Sequence, residues 1–156
     1  RLVLAAPRWR RYLLEGDIMI TALDHIAIAV PDLEKAIKRF MEDFGLTFEG
    51  TEDVESAKTS TAFFPLPPTS IELVHPLNGE GPIAKYLEKK PGGIHHLCFR
   101  TDDIEADVAR LKEKGYQFLS DAPSPGAHGC QVIFIHPKSC DGVLIELNQP
   151  SDDHHH

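Results

Sequence analysis

Histidine and glutamate recur in this sequence at matching places. Leu23-Asp24-His25-Ile26-Ala27-Ile28 and Ile94-His95-His96-Leu97-Cys98-Phe99 are both apolar runs with a histidine third, 71 residues apart. Ser70-Ile71-Glu72-Leu73-Val74 and Leu144-Ile145-Glu146-Leu147-Asn148 both set a glutamate between large apolar residues. His25 precedes Glu72 by 47 residues, and His96 precedes Glu146 by 50. Neutral imidazole together with carboxylate suits cobalt, manganese, nickel, iron or zinc rather than calcium. Two carboxylates offset a divalent charge, so such a site can be buried. The expected metal ligands are therefore His25, Glu72, His96 and Glu146. A lone strand histidine or glutamate is more often structural; the pair carries weight because it occurs twice.

Those four residues need elements that converge. The 71-residue offset also maps Asp32 onto Asp103, Leu33 onto Ile104, Ile37 onto Val108 and Phe40 onto Leu111. Apolar positions 33, 37, 40 and 44, and 104, 108 and 111, keep helical spacing. Asp32 and Asp103 are suited to cap these two helices, and Gly45 and Gly115 to end them. Strands are expected at Thr61-Ala62-Phe63-Phe64 and at Gln131-Val132-Ile133-Phe134-Ile135. Side chains alternate along a strand, so His25, Glu72, His96 and Glu146 face away from the apolar residues that contact the helices.

A half of about 55 residues cannot easily bury its own core. The chain is thus expected to be α+β, with two tandem βαβββ modules forming one curved mixed sheet around a metal-binding cleft. The modules span residues 21–77 and 92–149 of a single domain, 21–149. Pro82 to Lys90 is expected to be a short linker helix, ended by Pro91-Gly92-Gly93.

The whole chain has 156 residues and a net charge of −8, which speaks against a nucleic-acid surface. Its three cysteines, Cys98, Cys130 and Cys140, form no CxxC pair and are read as buried or idle thiols. No apolar run is long enough for a membrane span. Residues 1–20, with Arg1, Arg8, Arg10 and Arg11, are read as a leader segment or as sequence added ahead of a start at Met19. Residues 150–156 are a tail ending in three tag-like histidines, which favours added sequence. Strand alternation turns His95 to the face opposite His96. His75 and His136 precede prolines and belong at strand ends. His128 lies in Pro125-Gly126-Ala127-His128-Gly129, a loop that could close over a site or simply be solvated.

Paired modules with a His/Glu metal site resemble the vicinal-oxygen-chelate superfamily, and within it the methylmalonyl-CoA epimerase family. The resemblance rests on Leu23 to Leu33, Val74-His75-Pro76-Leu77 with Pro82-Ile83-Ala84, and Gly93-Ile94-His95-His96-Leu97-Cys98. It continues in His136-Pro137-Lys138 and Gly142-Val143-Leu144-Ile145-Glu146-Leu147. It implies that His25, His96 and Glu146 are metal ligands and that Glu72 falls at a fourth ligand position, with cobalt(II) first and manganese, nickel or zinc as alternatives. It implies epimerisation of (R)- and (S)-methylmalonyl-CoA, with Glu146 as a base.

Some members carry a second catalytic glutamate where this chain reads Lys58-Thr59-Ser60-Thr61-Ala62, with no carboxylate. Glu72 could serve the opposite face or be a ligand alone, and Glu55 or water could act instead. His128, His136 and Lys138 are candidates to meet the acyl-CoA. A homodimer is expected, with no nucleic-acid or membrane partner, in the cytoplasm or, for a eukaryotic source, the mitochondrial matrix. Glyoxalase I, the lactoylglutathione lyase of the same superfamily, is the alternative enzyme. A metal-free small-molecule binding protein is the alternative outside enzymes.

Overall fold

The first helix of each half begins where an aspartate satisfies free amides and stops where a glycine turns left-handed. The computed structural model describes residues 20–152; the expectations for the leader up to residue 19 and for the terminal histidines lie outside them. Strand β1 (Ile20–Ala29) leads into α1 (Leu33–Lys38), and Asp32 accepts a hydrogen bond from the Lys35 amide at 3.0 Å. In the second half β5 (Gly93–Thr101) leads into the helix Ile104–Glu113, and Asp103 accepts from the Ala106 amide at 3.1 Å. That helix is α3; α2 (Pro82–Lys89) is the linker helix between the halves. Asp32→Ala and Asp103→Ala are each expected to lower stability by about 1 kcal/mol, read as a shift of the urea midpoint at unchanged slope.

The two helices differ by one residue, and the backbone shows where. After α1 the chain widens into a π turn, Arg39–Asp43. The Leu46 amide then reaches back to the Phe40 carbonyl, whereas in the second half Tyr116 reaches back to Leu111. Gly45 (φ 69°) and Gly115 (φ 93°) end the helices in the left-handed region that glycine favours. The extra residue of the π turn accounts for Gly45 preceding Gly115 by 70 rather than 71 residues.

After α1 come β2 (Thr51–Val54), β3 (Thr59–Leu66) and β4 (Thr69–Pro76). After α3 come β6 (Ser124–Pro125), β7 (Gln131–Ile135) and β8 (Ile145–Gln149). One eight-stranded mixed sheet results, in the order β2-β3-β4-β1-β5-β8-β7-β6. The order reads alike from either edge, so each half is a βαβββ module and the seam is the antiparallel pair β1/β5. Ile26 pairs with Leu97 across that seam. The repeat offset maps Ile26 onto Leu97 as well, so a local twofold axis passes between these two residues.

The helices cover the outer side of the sheet. Phe64, Leu73, Ala62 and Ala36 are buried with Leu33, Ile37 and Phe40 in the first module. Ile133, Ile135 and Leu147 are buried with Ile104, Val108 and Leu111 in the second. The linker helix α2 instead sets Ile83, Tyr86 and Leu87 against Ala27, Ala29 and Val74, on the side of the sheet that the helices α1 and α3 leave open.

Candidate metal centre

The four candidate ligands sit on the two central strands and their parallel neighbours. Glu72 on β4 stands beside Ala27, two residues after His25. Glu146 on β8 stands beside Cys98, two residues after His96. Both modules therefore use one register, and all four side chains point into the same cleft. Ile71 and Leu73, like Ile145 and Leu147, turn the other way toward the helices.

Three of the four come together at one corner. His25, His96 and Glu146 are buried, with ligand atoms close enough to share one ion. The His25 Nε2 lies 3.3 Å from the His96 Nε2 and 3.2 Å from a Glu146 oxygen, and the His96 Nε2 lies 3.6 Å from the same oxygen. Glu72 meets the other edge of His25, its carboxylate 2.8 Å from Nδ1.

The charge balance suits a divalent cation. Asp24, Glu72 and Glu146 supply three carboxylates around His25, and Arg100 supplies one cation, 2.9 Å from Asp24. When an ion takes the place of the ring proton on His25 the imidazoles are neutral, and two negative charges are left in a mostly buried site for that ion to compensate. Burial works against a charged His25, yet hydrogen bonds to Asp24, Cys98, Glu146 and Glu72 outweigh it and hold its pKa well above the histidine range. Burial likewise opposes an ionised Glu146, but His25 and His96 hold it well below the carboxylate range. The ligand atoms and the charge both fit a divalent metal.

Two residues enter the site that strand alternation did not assign to it. His95, expected on the opposite face, sets its Nδ1 2.8 Å from the His96 Nδ1 and lines the cleft. Asp24 sets a carboxylate oxygen 2.7 Å from the His25 Nδ1. The cause in both is a bulge in the seam. Asp24 is unpaired between Leu23↔Phe99 and His25↔Cys98, and His95 is unpaired between Ala27↔His96 and Ile28↔Ile94. A bulged residue loses the strict alternation and leans toward its neighbour's side. The repeat hints at this, since Asp24 and His95 are equivalent positions, each polar and each just before a ligand candidate.

A cavity of about 980 Å³ opens over the cluster. It is at the upper end for small-molecule sites. Pro82 and Ile83 of α2 line one part of it and Phe63, Thr61 and His128 another. His128 packs at a tilt against Phe63 with ring centroids 4.5 Å apart, and its amide donates to Glu52 on the edge strand β2 at 3.2 Å. The sheet curls so far that the loop after β6 touches β2. Of the other substrate candidates, His136 accepts a hydrogen bond from the Lys138 amide outside this cavity, and Lys138 lines a separate shallow depression with Lys114 and Tyr116.

All three cysteines are free. Burial pushes the Cys130 thiol up to about 11, so it stays protonated at neutral pH. Its folded pKa lies above the unfolded one. The stability this protects is whole below pH 9, and is expected to drain away as pH rises from about 9 to 11. Chemical denaturation across that range should show a shallower fall in Cys130→Ala than in the parent protein.

This curled pair of βαβββ modules with a His/Glu cluster between them is a family architecture. The chain belongs to the glyoxalase/bleomycin resistance protein/dioxygenase superfamily, whose pattern it matches over residues 24–134. It is 47% identical to the ethylmalonyl-CoA/methylmalonyl-CoA epimerase of Cereibacter sphaeroides, over 84% of this chain and 99% of that protein. Among solved structures, methylmalonyl-CoA epimerase from Mycobacterium tuberculosis superposes with a TM-score of 0.84 at 33% identity, covering 92% of this chain and 97% of that one. A methylmalonyl-CoA epimerase in complex with methylmalonyl-CoA and ammonium gives 0.82 at 32% identity, covering 85% and 96%. No helix among the described residues is long and apolar enough to cross a membrane.

Proposed function

We propose that this enzyme interconverts the (R) and (S) epimers of methylmalonyl-CoA. A proton leaves the carbon between thioester and carboxylate and another returns on the opposite face. The observation that carries this reading is the pair of carboxylates, Glu146 and Glu72, at opposite edges of one buried imidazole, His25. Inversion needs proton carriers on both sides of a planar carbon, and these two fit that need. The cavity above them is large enough for the acyl end of a coenzyme A thioester.

In the forward direction Glu146, held ionised by His25 and His96, takes the proton as general base. The carbon–hydrogen electron pair moves into the enolate of the thioester. A proton drawn from solvent returns to the other face through Glu72, and for the opposite epimer the roles exchange. A divalent ion held by His25, His96 and Glu146, with Glu72 able to join as a fourth ligand, supplies Lewis-acid stabilisation of enolate charge when bound. Cobalt(II) is the proposed ion, with manganese, nickel or zinc the alternatives, and metal analysis of the purified protein tests this. The remaining residues orient the substrate and keep water out; His128, over the cavity, is the proposed substrate contact. A homodimer is the proposed assembly, testable by sedimentation.

Incubation of either epimer in deuterium oxide tests the reaction. Deuterium at the α-carbon with formation of the other epimer is the expected result, and ethylmalonyl-CoA should be run beside it. Turnover of the methylglyoxal–glutathione hemithioacetal alone would move the assignment to glyoxalase I. In Glu72→Gln, interconversion is expected to fall by about 10²-fold or more, while one epimer still exchanges its α-proton with retention. Equal loss of exchange for both epimers would instead make Glu72 a ligand only.

A further inference from the structure

We propose that Asp24, clamped by Arg100, is the positioning residue that points His25 at the metal and leaves Glu72 free to part from the imidazole. The inference rests on the metal reading of the site. It begins with a competition. Asp24 and Glu72 both place a carboxylate oxygen near the His25 Nδ1, at 2.7 Å and 2.8 Å. A neutral imidazole with Nε2 turned to a metal has one N–H, on Nδ1, and that proton serves one good acceptor at a time.

The clamp decides which acceptor it is. Arg100 donates from Nε at 3.0 Å and from Nη2 at 2.9 Å, both to Oδ1 of Asp24. The other oxygen, Oδ2, is left facing His25. Two charged donors on Oδ1 hold that oxygen in place and leave Oδ2 to the imidazole. Asp24 is fixed a second time by the backbone, as the unpaired residue of the bulge between Leu23 and His25. No ion pair with Arg or Lys is seen for Glu72 among the described residues. Asp24 therefore keeps the Nδ1 proton, the His25 tautomer is set, and the Nε2 lone pair is directed at the corner shared with His96 and Glu146. Glu72 is the partner that can leave.

The second module makes the contrast. The equivalent bulge residue is His95, whose Nδ1 lies 2.8 Å from the His96 Nδ1. A carboxylate pulls more electron density onto its imidazole than a second imidazole does. The two histidines of the cluster are thus placed alike but buttressed unequally, and His25 is the stronger donor of the two.

The test reads metal binding without substrate. Cobalt(II) affinity of the full chain would be measured by chelator competition, with the visible absorption of the bound ion, for the parent, Asp24→Asn and Arg100→Gln. The expected result is affinity weakened by roughly 10–100-fold in Asp24→Asn, with an altered cobalt spectrum and a smaller loss in Arg100→Gln. Arg100 is partly exposed, so its replacement spares the core. Unchanged affinity and spectrum in both variants would overturn the proposal while leaving the metal centre standing. A parent protein that takes up no cobalt would overturn the metal centre and the proposal together.

Discussion

Glu146→Gln is expected to abolish α-proton exchange and epimerisation together, with a loss of about 10²–10⁴-fold in kcat. The substitution keeps the shape of the side chain and removes its charge and its ability to take a proton. Glu146 is buried against His25 and His96, so no water can replace the missing base at the same place. The amide oxygen can still face a metal, so bound metal should fall less than activity does. Deuterium incorporation at each epimer and metal content of the same sample separate the two effects. A variant that retained exchange at more than a few per cent of the parent rate would remove Glu146 from the base role.

Phe64→Ala is expected to destabilise the fold by roughly 3–5 kcal/mol. Phe64 is fully buried on the helix side of β3, against Phe40 at 5.6 Å and Phe48 at 5.4 Å between ring centroids. Truncation would open a cavity among side chains held by a strand on one side and by α1 with its π turn on the other, where little can collapse. Set against the roughly 5–15 kcal/mol that holds a domain of this size, the loss brings the chain near its unfolding limit at ordinary temperature. The urea midpoint measures it. The fraction that remains folded should bind metal as the parent does, because Phe64 faces away from the cleft.

Much of this was legible in the residues themselves. The apolar positions of α1 and α3, their aspartate caps and the glycines that end them follow local rules that a sequence displays. So does the face of Glu72 and Glu146, because Ile71, Leu73, Ile145 and Leu147 flank them and alternation leaves one choice. The His/Glu recurrence exposed the module pair; the strand order and the β1/β5 seam came from the structure. What escaped was set by pairing between distant strands. Asp24 and His95 belong to the site only because β1 and β5 bulge against each other, and alternation sent His95 the wrong way. The position of Glu72 beside Nδ1 rather than Nε2 of His25 is a matter of side-chain rotamers. The separation of Lys138 from the cleft depends on where the 3₁₀ turn Pro137–Ser139 lies after β7.

Of the three register shifts in the seam, the two at Asp24 and His95 also act as stops on a sliding joint. A slip of β1 against β5 by one residue would turn every side chain of one strand to the wrong face, which burial forbids. A slip by two would keep the faces, and the run Ile26-Ala27-Ile28-Ala29 is uniform enough to tolerate it. It would, however, carry the unpaired Asp24 and His95 away from the places where the opposing strand leaves room for them. The joint has one setting at which both bulges seat, and it is the setting that faces His25 to His96.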